Sequence, residues 1–462
     1  MRILLLLFIL ASVSVSTLAQ DITGQWNGLL EVQGIKLRLV FNVNKTDGEY
    51  TSTMDSPDQG AKDIPVTTTT FEDPKIKFEI KKIGAEYTGE LKEGEIIGTF
   101  KQAGQEFPLN LSREEIEKEE VKRPQEPTEP YPYYSEDDTF KNSKADISLS
   151  GTLTLPKKRG KYPVVILISG SGPQNRDEEL LGHKPFLILS DYLTRNGIGV
   201  LRYDDRGVGE STGDFEAANS ADLATDVQSA VEYLKTRKEV DKNHIGLIGH
   251  SEGGVIAPMV ASESDDVSFI VLLAGTGIRG DKLLLMQQEL IWRANGMSEE
   301  EIEKSLKTSA ALFEIIVESN DVEKLKDDLT IALSEIIEKD SVEIPEGTSK
   351  EKFVENQVDQ MSTTWMQYFL KYDPAPTLEK VNCPVLAING EKDLQVPPKE
   401  NLEAIAESLR KGGNDQVTIK EFENLNHLFQ ESETGSPDEY ASIEQTFSPI
   451  ALKAVLEWIQ LQ

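Results

Sequence analysis

The 462-residue chain contains a single cysteine, Cys383, so no disulfide can form within it. Small secreted domains commonly depend on disulfides, because their cores are too small to stabilise them alone. Here 38% of the residues are apolar, which is enough to fill cores of ordinary size. The length fits two or three domains. We therefore expect core burial, without cross-links, to stabilise this protein.

Basic residues are also scarce. The chain has 48 Lys and Arg residues against 80 Asp and Glu residues, for a formal net charge of −32. Nucleic-acid binding requires clustered positive charge at the phosphates, and an anionic membrane surface attracts the same charge. The composition therefore argues against a nucleic-acid partner and against docking on anionic membranes. It indicates a self-repelling, soluble chain.

Histidine is rare too. The chain has four: His183, His244, His250 and His427. No two of them stand at the spacing of zinc ligands, and no cysteine accompanies them. The sequence therefore predicts neither a metal site nor a metal cofactor.

Long apolar runs are absent apart from one at the N-terminus. Residues 1–19 contain one arginine, then an apolar run, then the small residues that end at Ala19. This run is too short for a membrane span and is typical of a secretory signal peptide, with Gln20 as the first mature residue. No cysteine follows it, which argues against a lipid anchor. We expect an exported protein, periplasmic or extracellular, of a bacterial cell.

Residues 20–113 alternate between apolar and polar positions, as in "IKLRLVFNV" and "KIKFEI". Alternation with period two predicts half-buried strands, and Asp47-Gly48 and Glu93-Gly94 are typical hairpin turns. This segment predicts a small all-β domain, a sandwich or a half-open barrel. Residues 114–133 are rich in charge and proline, which is typical of a linker.

Residues 134–462 have a different pattern. Continuous apolar strands such as "YPVVILISG" and "HIGLIG" alternate with amphipathic helices, which predicts a parallel sheet with helices on both faces. Between about residues 278 and 371 the strands stop and helical patterns follow one another. We interpret this block as a helical cap inserted into an α/β fold.

The segment Gly249-His250-Ser251-Glu252-Gly253 joins a predicted strand to a predicted helix. It matches G-x-S-x-G in the context that gives this motif meaning, a sharp turn that exposes the serine hydroxyl. We predict Ser251 as a nucleophile. The alternative is a glycine-rich tight turn in which the serine has no chemical role.

A serine nucleophile requires a general base, and a third group orients that base. His427 follows a predicted strand near the C-terminus, and Asp393 follows the strand before it, in the order Ser, acid, His of α/β-hydrolases. Glu391 is the alternative acid. His183, in the loop region after the first core strand, is a candidate for the pocket lining, but it precedes the nucleophile. His244 and His250 have the character of structural residues, with the His250 ring expected to point away.

An oxyanion formed during attack needs N–H donors. We predict that the Ser171 N–H, with Gly170 beside it, and the Glu252 N–H supply them. A carboxylate facing the oxyanion would oppose catalysis. We therefore expect the Glu252 side chain to turn away and pair with Arg202 or Arg206.

Aromatic residues in the cap are candidates for the wall of a substrate pocket. We predict Gly170, Trp365 and Phe369 as substrate-binding residues, with Trp292 and Tyr368 as further candidates. Packing among the cap helices is the alternative role for these rings.

Four motifs together, "GHSEGG", "LRYDDRGVGES", "SGSGPQNRDE" and "INGEKDLQVP", resemble bacterial α/β-hydrolase esterases of the EstD type, close to the serine aminopeptidase-like hydrolases. The resemblance extends from Tyr134 to the C-terminus, and the β domain resembles the extra N-terminal domain of some exported members. It implies a triad of Ser251, Asp393 and His427. It also implies hydrolysis of carboxylic esters, best with short acyl chains, and no cofactor.

Three functions remain to be compared. The first is an exported serine carboxylesterase that acts on a small-molecule ester through an acyl-enzyme. The second is a serine peptidase of the aminopeptidase type, which an amine-binding carboxylate in the cap would favour. The third is a non-catalytic protein whose β domain binds a glycan or a lipid, and a complete triad argues against it.

Overall fold

A computed structural model describes residues 21–32, 35–46, 48–59, 61–102, 105–116, 123–340, 344 and 348–462. The chain divides into two compact units, with the boundary after Glu119. The predicted signal peptide lies outside the described residues. So do Asp47, one of the predicted turn residues, and residues 117–122 of the predicted linker.

Within the residues that the structure describes, the first unit contains ten strands and two short 3₁₀ helices, at Pro57–Gln59 and Lys81–Ile83. Its strands are β1 (Gly24–Val32), β2 (Ile35–Thr46), β3 (Glu49–Ser56), β4 (Ala61–Pro65), β5 (Thr68–Glu72), β6 (Lys75–Ile80), β7 (Ala85–Lys92), β8 (Glu95–Gln102), β9 (Gln105–Pro108) and β10 (Leu111–Ser112).

These strands form one antiparallel sheet in the order β4-β3-β2-β1-β10-β8-β7-β6-β5, with β9 paired to β8. Strands β2 and β6 are far apart in this order, yet the rings of Phe41 on β2 and Phe78 on β6 stack with their centroids 4.7 Å apart. The sheet is therefore strongly curled. The buried side chains of Trp26, Phe41, Phe78 and Tyr87 fill its concave face. The unit is a half-barrel, one of the two predicted forms.

The second unit contains eight strands, eleven helices and a 3₁₀ helix at Pro437–Glu439 within the described residues. The strands are β11 (Tyr134–Asn142), β12 (Ile147–Leu155), β13 (Tyr162–Ile168), β14 (Gly199–Tyr203), β15 (Val240–His250), β16 (Phe269–Leu273), β17 (Val385–Gly390) and β18 (Val417–Phe422). The helices are α1 (Pro185–Arg195), α2 (Ser220–Thr236), α3 (Gly253–Ala261), α4 (Gly280–Ala294), α5 (Glu299–Glu318), α6 (Val322–Asp340), α7 (Lys350–Met361), α8 (Thr364–Lys371), α9 (Ala375–Leu378), α10 (Pro398–Lys411) and α11 (Pro449–Ile459).

The sheet of this unit has the order β11-β12-β14-β13-β15-β16-β17-β18. The pairs β11–β12 and β12–β14 are antiparallel, and the remaining pairs are parallel. Successive residues of β13 enter different cores: Ile166 packs with α2, α3 and α10, and Val165 packs with α1 and α11. Helices therefore cover both faces, and the predicted α/β-hydrolase fold is confirmed.

Helices α4 to α8 lie between β16 and β17, in the segment predicted as a cap. Serine begins two of them: Ser298 caps α5 through Glu301, and Ser349 caps α7. Because parallel strands point the same way, the loops after β13, β15, β17 and β18 all leave the same edge of the sheet. No helix in the described part of the chain is long and apolar enough to cross a membrane.

Candidate active site

Ser251 occupies a strained turn between β15 and α3. Its backbone φ is +51°, a left-handed conformation that non-glycine residues rarely adopt. The turn is crowded: a Cβ at Gly249 would lie 2.0 Å from the carbonyl oxygen of Gly253, and one at Gly253 would lie 2.2 Å from that of Ile168. Small residues on both sides of Ser251 are therefore a steric requirement of this turn.

The candidate base and acid are joined directly. Nδ1 of His427 lies 2.8 Å from Oδ2 of Asp393, and both side chains are buried. The other carboxylate oxygen accepts the backbone N–H groups of Gln395 and Val396, each at 2.8 Å. Asp393 is thus held as an acceptor that keeps the proton of His427 on Nδ1 and leaves Nε2 free. The alternative acid, Glu391, instead accepts the N–H of Asn424.

One cavity of about 220 Å³ brings most of the predicted residues together. Apolar side chains such as Leu283 and Leu284 form part of its wall. The predicted residues that line it are Gly170, Ser171, Ser251, Trp365, Phe369 and His427. Trp365 and Phe369 stack with their ring centroids 4.9 Å apart. Of the described residues, Trp292, Tyr368 and His183 are not part of this lining.

The two predicted oxyanion donors are Ser171 and Glu252. Within the described part of the chain, no acceptor is present for either of their backbone N–H groups. The N–H of Gly170, by contrast, donates to Oε1 of Glu178 at 2.7 Å. Glu252 also stands at the N-terminus of α3, where the helix dipole favours negative charge. Both N–H groups therefore stay candidates for binding an oxyanion, with Ser171 in the cavity lining.

The expected pairing of Glu252 with a cation is wrong. Its buried carboxylate accepts hydrogen bonds from Nε1 of Trp365 at 2.8 and 2.9 Å and from Oγ of Ser220 at 2.5 Å. Burial raises the pKa of this carboxyl group, and these donors oppose the rise. Arg202 pairs with Asp177 and Arg206 with Asp226 instead. A neutral donor brought by the cap takes the place of the expected arginine.

The loop between β13 and α1, which carries Ser171, is tied to the sheet by charged groups. Arg176 binds both carboxylate oxygens of Asp204, at 3.1 and 2.7 Å. Burial opposes ionisation of Asp204, yet Arg176 holds the pKa of that carboxyl below its usual value. Asp205 accepts hydrogen bonds from Ser169 and Gln174, and burial raises its pKa to about 8. The "DDRG" turn, which contains Asp204 and Asp205, therefore anchors this loop.

His250 lines the cavity, so the prediction that its ring points away is wrong. Its Nδ1 lies 2.8 Å from Oε1 of Glu178, and its Nε2 lies 3.1 Å from the carbonyl oxygen of His427. Burial by itself lowers the pKa of a histidine, but the Glu178 carboxylate outweighs it, so the pKa of His250 is raised. Sequence reasoning missed this residue because no pattern links Glu178 to the G-x-S-x-G turn.

His183 lies apart from the cavity. It is buried between Oγ1 of Thr446 and the carbonyl oxygen of Tyr440, each 2.8 Å from one of its ring nitrogens. Burial lowers its pKa to about 4, so the ring is neutral and structural near neutral pH.

The sequence is similar to a family model and to a known esterase. Residues 227–431 match the model of the BAAT / acyl-CoA thioester hydrolase C-terminal family. The chain is 27% identical to esterase EstD of Thermotoga maritima over 367 residues, which cover 79% of this chain and 74% of that protein. The chain is thus similar in sequence to an esterase and to a hydrolase family.

Two solved structures also match this chain at low sequence identity. An esterase of Pyrococcus furiosus, Pf2001, has a TM-score of 0.43 and 15% identity, with 75% of this chain and 99% of that chain covered. Est1E from Butyrivibrio proteoclasticus, solved with ferulic acid bound, has a TM-score of 0.42 and 18% identity, with 70% and 98% covered.

Proposed function

We propose that this protein is a serine carboxylesterase that hydrolyses small esters of short-chain carboxylic acids. One observation carries the proposal: Ser251 on its strained turn and His427, bound to Asp393, line the same small cavity. The sequence similarity to esterase EstD supports it.

The reaction starts with the Ser251 hydroxyl. Its oxygen attacks the ester carbonyl carbon, and Nε2 of His427 takes the proton, while Asp393 stabilises the imidazolium that forms. The N–H groups of Ser171 and Glu252 stabilise the negative oxygen of the tetrahedral intermediate. The intermediate then collapses, the C–O bond to the alcohol breaks, and the alcohol oxygen takes the proton from His427.

Water completes the cycle. It attacks the acyl-enzyme carbonyl, His427 removes a proton from the water, and the Ser251 oxygen leaves and recovers that proton. The products are one carboxylic acid and one alcohol, with Ser251 regenerated. Apart from this water and the ester, the proposed reaction uses only groups of the chain.

The size and lining of the cavity favour substrates with short acyl groups. Its volume of about 220 Å³ is below the range of roughly 300–1,000 Å³ typical of sites for drug-sized ligands. Leu283, Phe369 and Val396 form an apolar cluster on its wall. A short acyl chain fits such a space, and a long one needs the cap to move.

A peptidase is less well supported. An aminopeptidase needs a carboxylate for the substrate's ammonium group, and Glu178 is the one carboxylate among the described residues of the cavity wall. Glu178 is already bound to His250 and to the N–H of Gly170. We therefore favour esters over peptides.

We also propose that the protein acts after export, on the strength of residues 1–19. Expression in a bacterial host, followed by cell fractionation and N-terminal sequencing, tests this. We expect periplasmic or extracellular protein that begins at Gln20. Cytoplasmic protein with an intact N-terminus would contradict the proposal.

The decisive experiment compares nitrophenyl esters of increasing acyl length with aminoacyl nitroanilides. The wild type is compared with Ser251→Ala. The matched control is Ser262→Ala, at the C-terminal end of α3. A fluorophosphonate followed by mass spectrometry of peptides identifies the labelled residue. We expect ester hydrolysis that Ser251→Ala abolishes and Ser262→Ala retains, with the label on Ser251. Faster amide than ester hydrolysis, or a label elsewhere, would overturn the proposal.

A further inference from the structure

A second imidazole–carboxylate pair lies beside the pair of His427 and Asp393. The His250 ring has Glu178 on one side, at 2.8 Å from Nδ1, and the His427 carbonyl oxygen on the other, at 3.1 Å from Nε2. The two imidazole rings have their centroids 4.8 Å apart. His250 and Glu178 are both buried. The reaction described above uses neither of them.

Both neighbours of the His250 ring are oxygens that can accept a hydrogen bond. A carbonyl oxygen can only accept, so Nε2 carries a proton. Oε1 of Glu178 already accepts the N–H of Gly170 at 2.7 Å and acts as an acceptor toward Nδ1 as well. With Glu178 ionised, both neighbours of the ring are acceptors, so we infer that His250 is an imidazolium whose charge this carboxylate compensates. The raised pKa of His250 agrees with this assignment.

The ion pair connects three parts of the site. Glu178 belongs to the loop that carries Ser171, one of the free N–H donors. His250 is the last residue of β15 and directly precedes Ser251. Its second hydrogen bond reaches the backbone of His427 in the loop after β18. One charged pair thus touches the loops of the oxyanion donor and of the base, next to the nucleophile.

Building on the proposed esterase reaction, we propose that Glu178 and His250 form a positioning pair that holds the His427 backbone and the Gly170–Ser171 loop in register with Ser251. Neither residue touches the reacting atoms in this role. A displacement of about 1 Å within a catalytic arrangement can lower the rate on the order of 10²-fold, so small shifts of these loops matter.

The pairing predicts a dependence on pH. The charged groups that face His250 are Glu178 after β13, Asp393 after β17 and His427 after β18. The two carboxylates favour the imidazolium, and a protonated His427 opposes it. Once His250 loses a proton, one of its two acceptors has no donor. Activity should therefore fall at alkaline pH, as His250 is deprotonated.

The test measures kcat and KM for nitrophenyl acetate between about pH 5 and about pH 10, with buffer hydrolysis subtracted. In Glu178→Gln an acceptor oxygen remains but the charge is lost, so we expect the alkaline limb to move about one to three pH units lower. In His250→Asn we expect kcat to fall about tenfold to hundredfold while KM changes less than about threefold. The control is His244→Asn, which removes an exposed imidazole 3.1 Å from Asp241 and leaves the profile unchanged.

Nitrogen NMR of the histidine rings in the wild type measures the protonation of His250 and does not depend on catalytic activity. We expect both ring nitrogens of His250 to be protonated at about pH 8, with the signal assigned by its loss in His250→Asn or its shift in Glu178→Gln. If the wild type hydrolyses no ester, the proposed function fails, whereas this spectrum still tests the ion pair. A neutral His250 at that pH, or a Glu178→Gln profile with unmoved limbs, would overturn the positioning pair.

Discussion

The indole Nε1 of Trp365 lies 2.8 Å from one carboxylate oxygen of Glu252 and 2.9 Å from the other. Glu252 directly follows the nucleophile candidate Ser251, and Trp365 belongs to cap helix α8. Helix α8 is therefore hydrogen-bonded to the turn that contains Ser251, through a buried carboxylate that also accepts hydrogen bonds from serine hydroxyls.

Replacing Trp365 by Phe keeps a ring in place but removes the N–H donor. A buried carboxylate that loses a donor is costly, so we expect the free energy of unfolding to fall by about 1–3 kcal/mol. Urea denaturation measures this. Trp292→Phe is the matched control, since Trp292 is half-buried in the same cap and has no such carboxylate partner among the described residues. Equal destabilisation by both substitutions would contradict the importance of the contact.

Replacing Asp393 by Asn tests the orientation of His427. An amide can accept from the backbone N–H groups of Gln395 and Val396, so the fold should persist, but it no longer holds His427 in the required tautomer. We expect kcat for nitrophenyl esters to fall by about 10⁴-fold with little change in KM. Glu391→Gln, on the same turn, serves as the control and should retain activity. Loss of activity in Glu391→Gln together with retained activity in Asp393→Asn would instead identify Glu391 as the acid.

Asp205 gives a prediction about stability and pH. Its pKa is raised to about 8 in the folded protein, so between about pH 4 and about pH 8 the folded state keeps a proton that the unfolded state has released. Stability from this group is therefore present at low pH and is lost as the pH rises toward 8.

Asp205→Asn removes this titration and mimics the protonated acid toward Ser169 and Gln174. Relative to wild type, the variant should gain stability as the pH rises, by up to about 1.4 kcal/mol per unit below pH 8. Urea denaturation at several pH values measures the difference between the two proteins. A difference that is constant across this range would show that Asp205 is ionised throughout.

Replacing Phe369 by Ala should widen the range of acyl groups. The ring packs against Trp365 and Leu283 on the cavity wall, and its removal leaves space where a longer acyl chain can lie. We expect the ratio of kcat/KM for hexanoate over acetate esters to rise by roughly tenfold, which corresponds to about two newly buried methylenes at about 0.8 kcal/mol each. Tyr368→Ala on the same helix, which is outside the lining, is the control. An unchanged ratio would place acyl binding elsewhere.

Local patterns were sufficient for much of this molecule. Period-two alternation predicted the β domain, and apolar strands that alternate with helices predicted the α/β sheet, because both patterns record which side chains face a core. The Ser251 turn was predictable for a similar reason: its glycines are a steric requirement between adjacent residues. The order Ser, acid, His along the chain predicted that Asp393 and His427 follow the ends of two strands after Ser251.

Only the tertiary structure decided which buried charges meet. Glu252 was expected to pair with an arginine, yet it is bound by Trp365, 113 residues away. His250 was expected to point away, yet it lies between Glu178 and His427, which are 72 and 177 residues distant from it. A buried carboxylate or imidazole must find a partner, but any donor or acceptor of suitable geometry satisfies it. The sequence by itself therefore determined the folds and the candidate nucleophile, base and acid, and chain packing determined the partners that hold them.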